Sequence, residues 1–121
     1  MFNNFTEEAR KVLVKAKEEM SILKHPYVGS EHLLLAILKS DNNVSKRLKQ
    51  YNITYDVFLD KIIEIIGVGS KESEWFLYTP LLKRVMENSI LDSKEANSDV
   101  TLEILFSNLL EEGDGVAIRI L

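Results

Sequence analysis

Three blocks of sequence occur twice in this chain, in the same order. Phe5-Thr6-Glu7-Glu8-Ala9-Arg10-Lys11-Val12-Leu13 aligns with Tyr78-Thr79-Pro80-Leu81-Leu82-Lys83-Arg84-Val85-Met86, an offset of 73 residues. Val28-Gly29-Ser30-Glu31-His32-Leu33-Leu34 aligns with Val100-Thr101-Leu102-Glu103-Ile104-Leu105-Phe106, and Val44-Ser45-Lys46-Arg47-Leu48 with Val116-Ala117-Ile118-Arg119-Ile120, both at an offset of 72. Matched blocks in one order point to an internal duplication. Each copy is too small to enclose its own apolar side, so the two must pack on each other. Repeat one is placed at residues 1–66, a linker at 67–77 and repeat two at 78–121. The linker opens with Gly67-Val68-Gly69-Ser70-Lys71-Glu72-Ser73-Glu74, whose glycines, serines and charges predict a surface loop. Repeat two stops at Leu121 in mid-pattern where repeat one continues, which is expected of a chain cut from a longer one.

Within each repeat the apolar spacing is helical. Thr6 is placed to cap a helix, with Glu7 and Glu8 in the first turn, where the positive end of the helix dipole favours anions. Ala9, Val12, Leu13, Ala16, Met20 and Leu23 follow on one face, and lysines, arginine and glutamates fill the other. Pro26 sets the end near Lys24. Ser30 is placed to cap a second, leucine-rich helix running to Leu38. A short helix follows near Val44 to Tyr51. Thr54 caps a fourth, with Tyr55, Phe58, Leu59, Ile62, Ile65 and Ile66 inward and Gly67 at its C-terminal cap. In repeat two, Thr79 caps and Pro80 takes the first helical position of a helix to about Lys94. Another runs from Leu102 to Glu112, with Thr101 as a second candidate cap. Gly113-Asp114-Gly115 then breaks the chain before the start of a last helix. The expected fold is all-α: two pseudo-symmetric helical repeats packed into one domain of about seven helices. Packing the repeats together buries large side chains worth roughly 1.5–3 kcal/mol each.

Composition narrows the function. With 15 Lys and Arg against 19 Asp and Glu the net charge is −4, which gives no basic face for nucleic acid or an anionic membrane. The longest fully apolar run, residues 33–38, is far short of the roughly 20 residues of a membrane span. Met1-Phe2-Asn3-Asn4 lacks the basic-then-apolar pattern of a secretory signal. There is no cysteine, hence no disulfide or thiolate chemistry. These traits predict a cytoplasmic domain. No G-x-x-x-x-G-K-[ST] loop is present for nucleotide hydrolysis, and no G-x-S-x-G elbow for acyl transfer. His25 and His32, seven apart across Pro26, do not have the spacing of a ligand pair on one helix face. They are expected to be a loop histidine and a helix-start histidine. No catalytic residue, metal or cofactor is expected. Phe2 and Trp75, near the repeat boundary, are expected to pack in the core.

Phe5-Thr6 ahead of an amphipathic helix, Val28-Gly29-Ser30-Glu31-His32-Leu33-Leu34-Leu35, Tyr78-Thr79-Pro80 and Gly113-Asp114-Gly115-Val116-Ala117 together resemble the Clp N-terminal domain, in the form carried by ClpC-type unfoldases of Gram-positive bacteria. The resemblance covers essentially the whole chain. It implies a module that caps a hexameric ATP-driven unfoldase and receives substrates and adaptor proteins for the ATPase ring and an attached protease. In the ClpC subgroup it further implies recognition of phosphorylated arginine on substrate proteins. The family's V-G-T-E-H glutamate and its repeat equivalent correspond to Glu31 and Glu103, so the resemblance makes these the guanidinium acceptors. A carboxylate takes two parallel N–H bonds from a guanidinium, whereas the phosphate requires donors such as a helix N-terminus. The resemblance places Thr6 and Thr79 at those ends. The expectation is two sites, Glu31 with Thr6 and Glu103 with Thr79, with the pairing between repeats left open by the sequence. Repeat two departs from the motif: threonine replaces glycine, leucine the serine and isoleucine the histidine.

Arg10-Lys11 and Lys83-Arg84 occupy equivalent positions on polar faces and are candidates for adaptor docking. The domain alone is expected to be a monomer. An alternative is a free-standing accessory protein of the Clp system that regulates assembly or substrate delivery. A third, a phosphoarginine phosphatase, would need a nucleophile or metal near Glu31, and none is visible.

Overall fold

The computed structural model describes residues 4–112 and 115 of the chain. These residues form six helices: α1 (Glu7–Leu23), α2 (Ser30–Lys39), α3 (Asn43–Lys49), α4 (Tyr55–Ile65), α5 (Pro80–Glu95) and α6 (Leu102–Glu111). The expected last helix, the Gly113-Asp114 part of the turn before it, and Phe2 lie outside the described residues. Among the described residues the only extended pairings are two isolated parallel bridges, Phe5 with Val100 and Val28 with Tyr78.

The fold is all-helical and pseudo-symmetric. Helix α1 packs on α2, and α5 on α6. The symmetry reaches single residues. Lys24 after α1 and Asn97 after α5 are both left-handed, with φ of 57° and 54°. One residue later, the His25 N–H donates to the Met20 carbonyl and the Ser98 N–H to that of Ser93, at 3.1 and 2.9 Å. Helix α2 forms the centre. Its Leu33, Leu34, Leu35, Ala36 and Ile37 are completely buried, because α1, α3 and α4 all pack around it. Contacts of α6 with α1 and α3 join the halves.

Local chemistry explains the ends. Thr6 Oγ1 accepts from the Ala9 N–H and Thr79 Oγ1 from the Leu82 N–H, each at 3.2 Å. Asn42 caps α3 by accepting from the Ser45 N–H at 2.7 Å. Such caps stabilise a helix by about 1 kcal/mol. Gly67 closes α4 with φ at +86°, a conformation that glycine adopts without strain.

Several expectations need correction. Ser30 is the first helical residue of α2, and Gly29 occupies the cap position. Ile65 and Ile66 are exposed: α4 meets α2 through Phe58 and Ile62, and its last turn runs past the core. Trp75 is 79% exposed in the linker, where its neighbour Phe76 packs instead, beneath the Lys17 ammonium at 4.1 Å. Glu19, expected on the polar face of α1, is buried. Its Oε1 accepts no hydrogen bond and lies 3.8 Å from the Lys39 ammonium.

Candidate ligand sites at paired helix starts

The two bridges bring helix starts together in pairs. The Thr6 N–H donates to the Val100 carbonyl at 2.9 Å and the Val100 N–H to that of Asn4 at 2.7 Å, so α1 and α6 begin side by side. The Val28 N–H donates to the Leu77 carbonyl and the Thr79 N–H to that of Val28, both at 2.9 Å, so α2 and α5 also begin side by side. Each pair therefore takes one helix from each repeat.

This reverses the expected pairing. Thr79 stands beside the α2 start that carries Glu31, and Thr6 beside the α6 start that carries Glu103. Both arrangements satisfy the same duplicated sequence. The choice is made by main-chain bonds between repeats, which no side-chain pattern records. Each site thus joins two positive helix ends to one carboxylate, which is the charge arrangement needed for a ligand with an anionic part and a cationic part.

The two sites differ, and the difference starts at one residue. A Cβ on Gly29 would collide with Glu31 Oε1 and stand 2.9 Å from its Cδ. The Glu31 carboxylate therefore lies over the Gly29 backbone, in space that only glycine leaves open. There Glu31 is half-buried, and burial raises its pKa above the usual value; its own backbone N–H and the nearby His25 pull the other way. At the matching place in α6 stands Thr101, whose Oγ1 accepts from the Ile104 N–H at 3.1 Å. The hydroxyl fills the cap position there, and Glu103 is exposed. Thr101 thus serves as the cap that the sequence left as a second candidate.

Behind Glu31 lies a contact that sequence reasoning missed. His25 Nδ1 and His32 Nε2 are 2.8 Å apart, both residues are buried, and the rings stack obliquely. The Gly29 N–H donates to His32 Nδ1 at 2.9 Å, and His25 Nε2 lies 2.7 Å from the Gly67 carbonyl. The ends fix every proton. A backbone N–H can only donate and a carbonyl can only accept. Thus His32 carries its proton on Nε2 and donates to His25 Nδ1, and His25 donates from Nε2 to Gly67. In this hydrogen-bond arrangement each ring carries one proton. Burial, then the neighbouring His25, brings the His32 pKa down to about 3. Among the described residues no three His, Cys, Asp or Glu are grouped to hold a metal ion.

Arg10, Lys11, Lys83 and Arg84 are all exposed. Lys11 pairs with Glu7 at 3.3 Å along α1, and Arg84 Nε donates to Glu112 Oε1 at 3.3 Å. Lys11 also borders a cleft of about 530 Å³ between α1 and the α2–α3 turn, lined in part by Lys15, Lys39 and Asn42. No described helix is long and apolar enough to cross a membrane.

The family described as the Clp repeat (R) N-terminal domain matches residues 4–121. Over 122 residues, 99% of this chain, the sequence is 34% identical to the ATP-dependent Clp protease ATP-binding subunit ClpC of Staphylococcus epidermidis. Identity and coverage are the same for the ClpC subunit of Staphylococcus aureus. The chain spans 15% of the length of each of these relatives. The fold is similar to the crystal structure of the N-terminal domain of the caseinolytic protease associated chaperone ClpD from Arabidopsis thaliana. That likeness has a TM-score of 0.79 at 23% identity and covers 100% of this chain and 87% of that one. With the family matched over nearly its whole length, this chain belongs to the Clp N-terminal repeat domains.

Proposed function

We propose that this domain is the receiving module of a Clp-type ATP-dependent protein unfoldase that feeds a protease. In this reading it takes up adaptor proteins and arginine-phosphorylated substrates in the cytoplasm, as a monomeric domain of 1–121 attached to an ATPase ring. It performs no catalysis itself. The repeats, 1–66 and 78–121 about a linker at 67–77, each contribute half of each binding site.

The observation that carries the tag-reading part is the convergence of two helix starts and one glutamate, twice. A phosphorylated arginine has a guanidinium and a phosphoryl group on one side chain. The guanidinium suits the carboxylate of Glu31 or Glu103. The phosphoryl group suits the paired helix N-termini at Thr79 or Thr6, where the carboxylate itself would repel it. Arg10, Lys11, Lys83 and Arg84 lie on exposed faces and are assigned to adaptor docking, for which arginine is well suited as an anchor.

Calorimetric titration of free phosphoarginine into the domain tests the reading, with arginine and phosphoserine as controls. Binding on the order of micromolar is expected for phosphoarginine alone among the three. Equal binding of phosphoserine would reduce the site to a general anion trap. No heat at millimolar phosphoarginine would leave adaptor docking as the domain's task.

A further inference from the structure

We propose that His25 and His32 are positioning residues of the Glu31 site, holding the Gly29 backbone where the Glu31 carboxylate rests on it and Thr79 is tied beside it. The proposal deepens the phosphoarginine reading and rests on it for its binding consequence.

Residues 28 and 29 are the hub. The Val28 carbonyl accepts the Thr79 N–H, and the Val28 N–H donates to Leu77, so this segment sets where α5 begins. Gly29 supports Glu31 from beneath. Only one group grips the Gly29 N–H, His32 Nδ1 at 2.9 Å. His32 can accept there only as the Nε2–H tautomer, and that tautomer is held because His25 Nδ1 accepts its proton at 2.8 Å. His25 is held in turn by the Gly67 carbonyl at 2.7 Å, in the left-handed turn that ends α4. The site is thereby braced against the C-terminal ends of both α1 and α4.

The chain has no redundancy. Each nitrogen has one partner and one role, so loss of either ring leaves a buried donor or acceptor unmatched. Repeat two has no such brace. Ser98 stands at the place of His25 and Ile104 at that of His32. There the cap is Thr101, and Glu103 is exposed. The imidazole pair therefore belongs to the site whose glutamate is held down, and is absent from the site whose glutamate is not.

The experiment uses the whole domain. Long-range ¹⁵N correlation spectra of the unmodified protein report the tautomers first: both histidines neutral with the proton on Nε2. A proton on Nδ1 of either ring would overturn the proposal. Next, the His32 tautomer is read again in His25→Ala, where loss of the Nε2–H form is expected, and the Glu31 carboxyl is titrated by ¹³C NMR in His32→Leu and His32→Gln. Gln keeps an acceptor for the Gly29 N–H and a donor towards His25. In His32→Leu the Glu31 pKa should fall towards its ordinary 4.5, and in His32→Gln it should stay raised. An unchanged Glu31 titration in folded His32→Leu, or an unchanged His32 tautomer in folded His25→Ala, would overturn the proposal. Finally, phosphoarginine is titrated in a Glu103→Ala background, which leaves only the Glu31 site. His32→Leu should weaken binding about tenfold, with His32→Gln retaining most of it. Failure of every variant and of the unmodified protein to bind, with the Glu31 titration still responding to His32→Leu, would sink the tag-reading function while the positioning role stands.

Discussion

The backbone N–H of Thr79 donates to the carbonyl of Val28 at 2.9 Å, and through that bond the cap of α5 lies against the glutamate-bearing start of α2. Its counterpart, Thr6 to Val100, is the same length. The two repeats thus exchange partners at both ends of the domain, and neither candidate site exists within one repeat. A chain carrying only one repeat would have a carboxylate and a helix start, but no second helix start beside them.

Gly29 and Thr101 should be interchangeable in effect. Gly29→Ala drives a methyl group into the Glu31 carboxylate. It should expel Glu31 into solvent and return its pKa towards 4.5, weakening the Glu31 site. Thr101→Gly removes the hydroxyl cap at a cost of a few tenths of a kcal/mol and opens the matching space beneath Glu103. The Glu103 side chain should then fold down onto the backbone there, read by NMR as new contacts between its γ-protons and the α-protons of residue 101. An unchanged Glu31 titration in Gly29→Ala, or no such contacts in Thr101→Gly, would contradict the account of why the sites differ.

Acid should destabilise the domain well before its carboxylates protonate. His32 is neutral in the folded chain down to about pH 3, against an ordinary value of 6.5. The unfolded chain therefore binds a proton between those values that the folded chain does not, and stability falls as pH drops through that window. Glu31 acts oppositely, because its raised pKa makes the folded chain hold a proton longer than the unfolded one as pH rises above 4.5. Melting temperatures taken from pH 7 to 5 should decline, and the decline should flatten in His32→Gln.

The helices, their caps and their pseudo-symmetry were legible from sequence because each rests on local chemistry. Thr6, Thr79 and Gly67 act where their side chains or backbone freedom are needed. What was not legible lies in contacts distant along the chain. The crossed pairing is written in backbone bonds between residues about 50 to 95 apart, and composition is silent about those. The His25–His32 pair hid behind Pro26, since spacing of seven across a helix break has no fixed geometry. Ile65 and Ile66 keep the periodicity of Phe58 and Ile62, yet the core ends before them. The burial of Glu19 did have a periodic signal, seven residues after Val12 and three after Ala16 on the apolar face, but its charge assigned it to the polar one.

That buried carboxylate yields a further prediction. Glu19 Oε1 accepts no hydrogen bond, and the Lys39 ammonium at 3.8 Å is itself half-exposed. Burial, then a hydrogen bond to Glu19, pushes the Tyr55 hydroxyl pKa up. An imperfectly matched buried ion is often replaced by an apolar side chain without loss. Glu19→Met should leave stability unchanged or raise it by about 1 kcal/mol, as read by urea denaturation. Lys39→Ala, which removes the only cation paired with that carboxylate among the described residues, should lower it. The opposite order would mean that the pair is a net source of stability.

The crossed assembly of the sites is tested most directly by phosphoarginine stoichiometry in paired variants. The unmodified domain should bind two ligands, the tighter at Glu31. Combining Glu31→Ala with Thr79→Ala should damage one site only and leave the Glu103 site binding as before. Combining Glu31→Ala with Thr6→Ala should damage both and abolish saturable binding. The reverse result, one intact site in the Thr6 combination and none in the Thr79 combination, would contradict the account, as would the absence of binding to the unmodified domain.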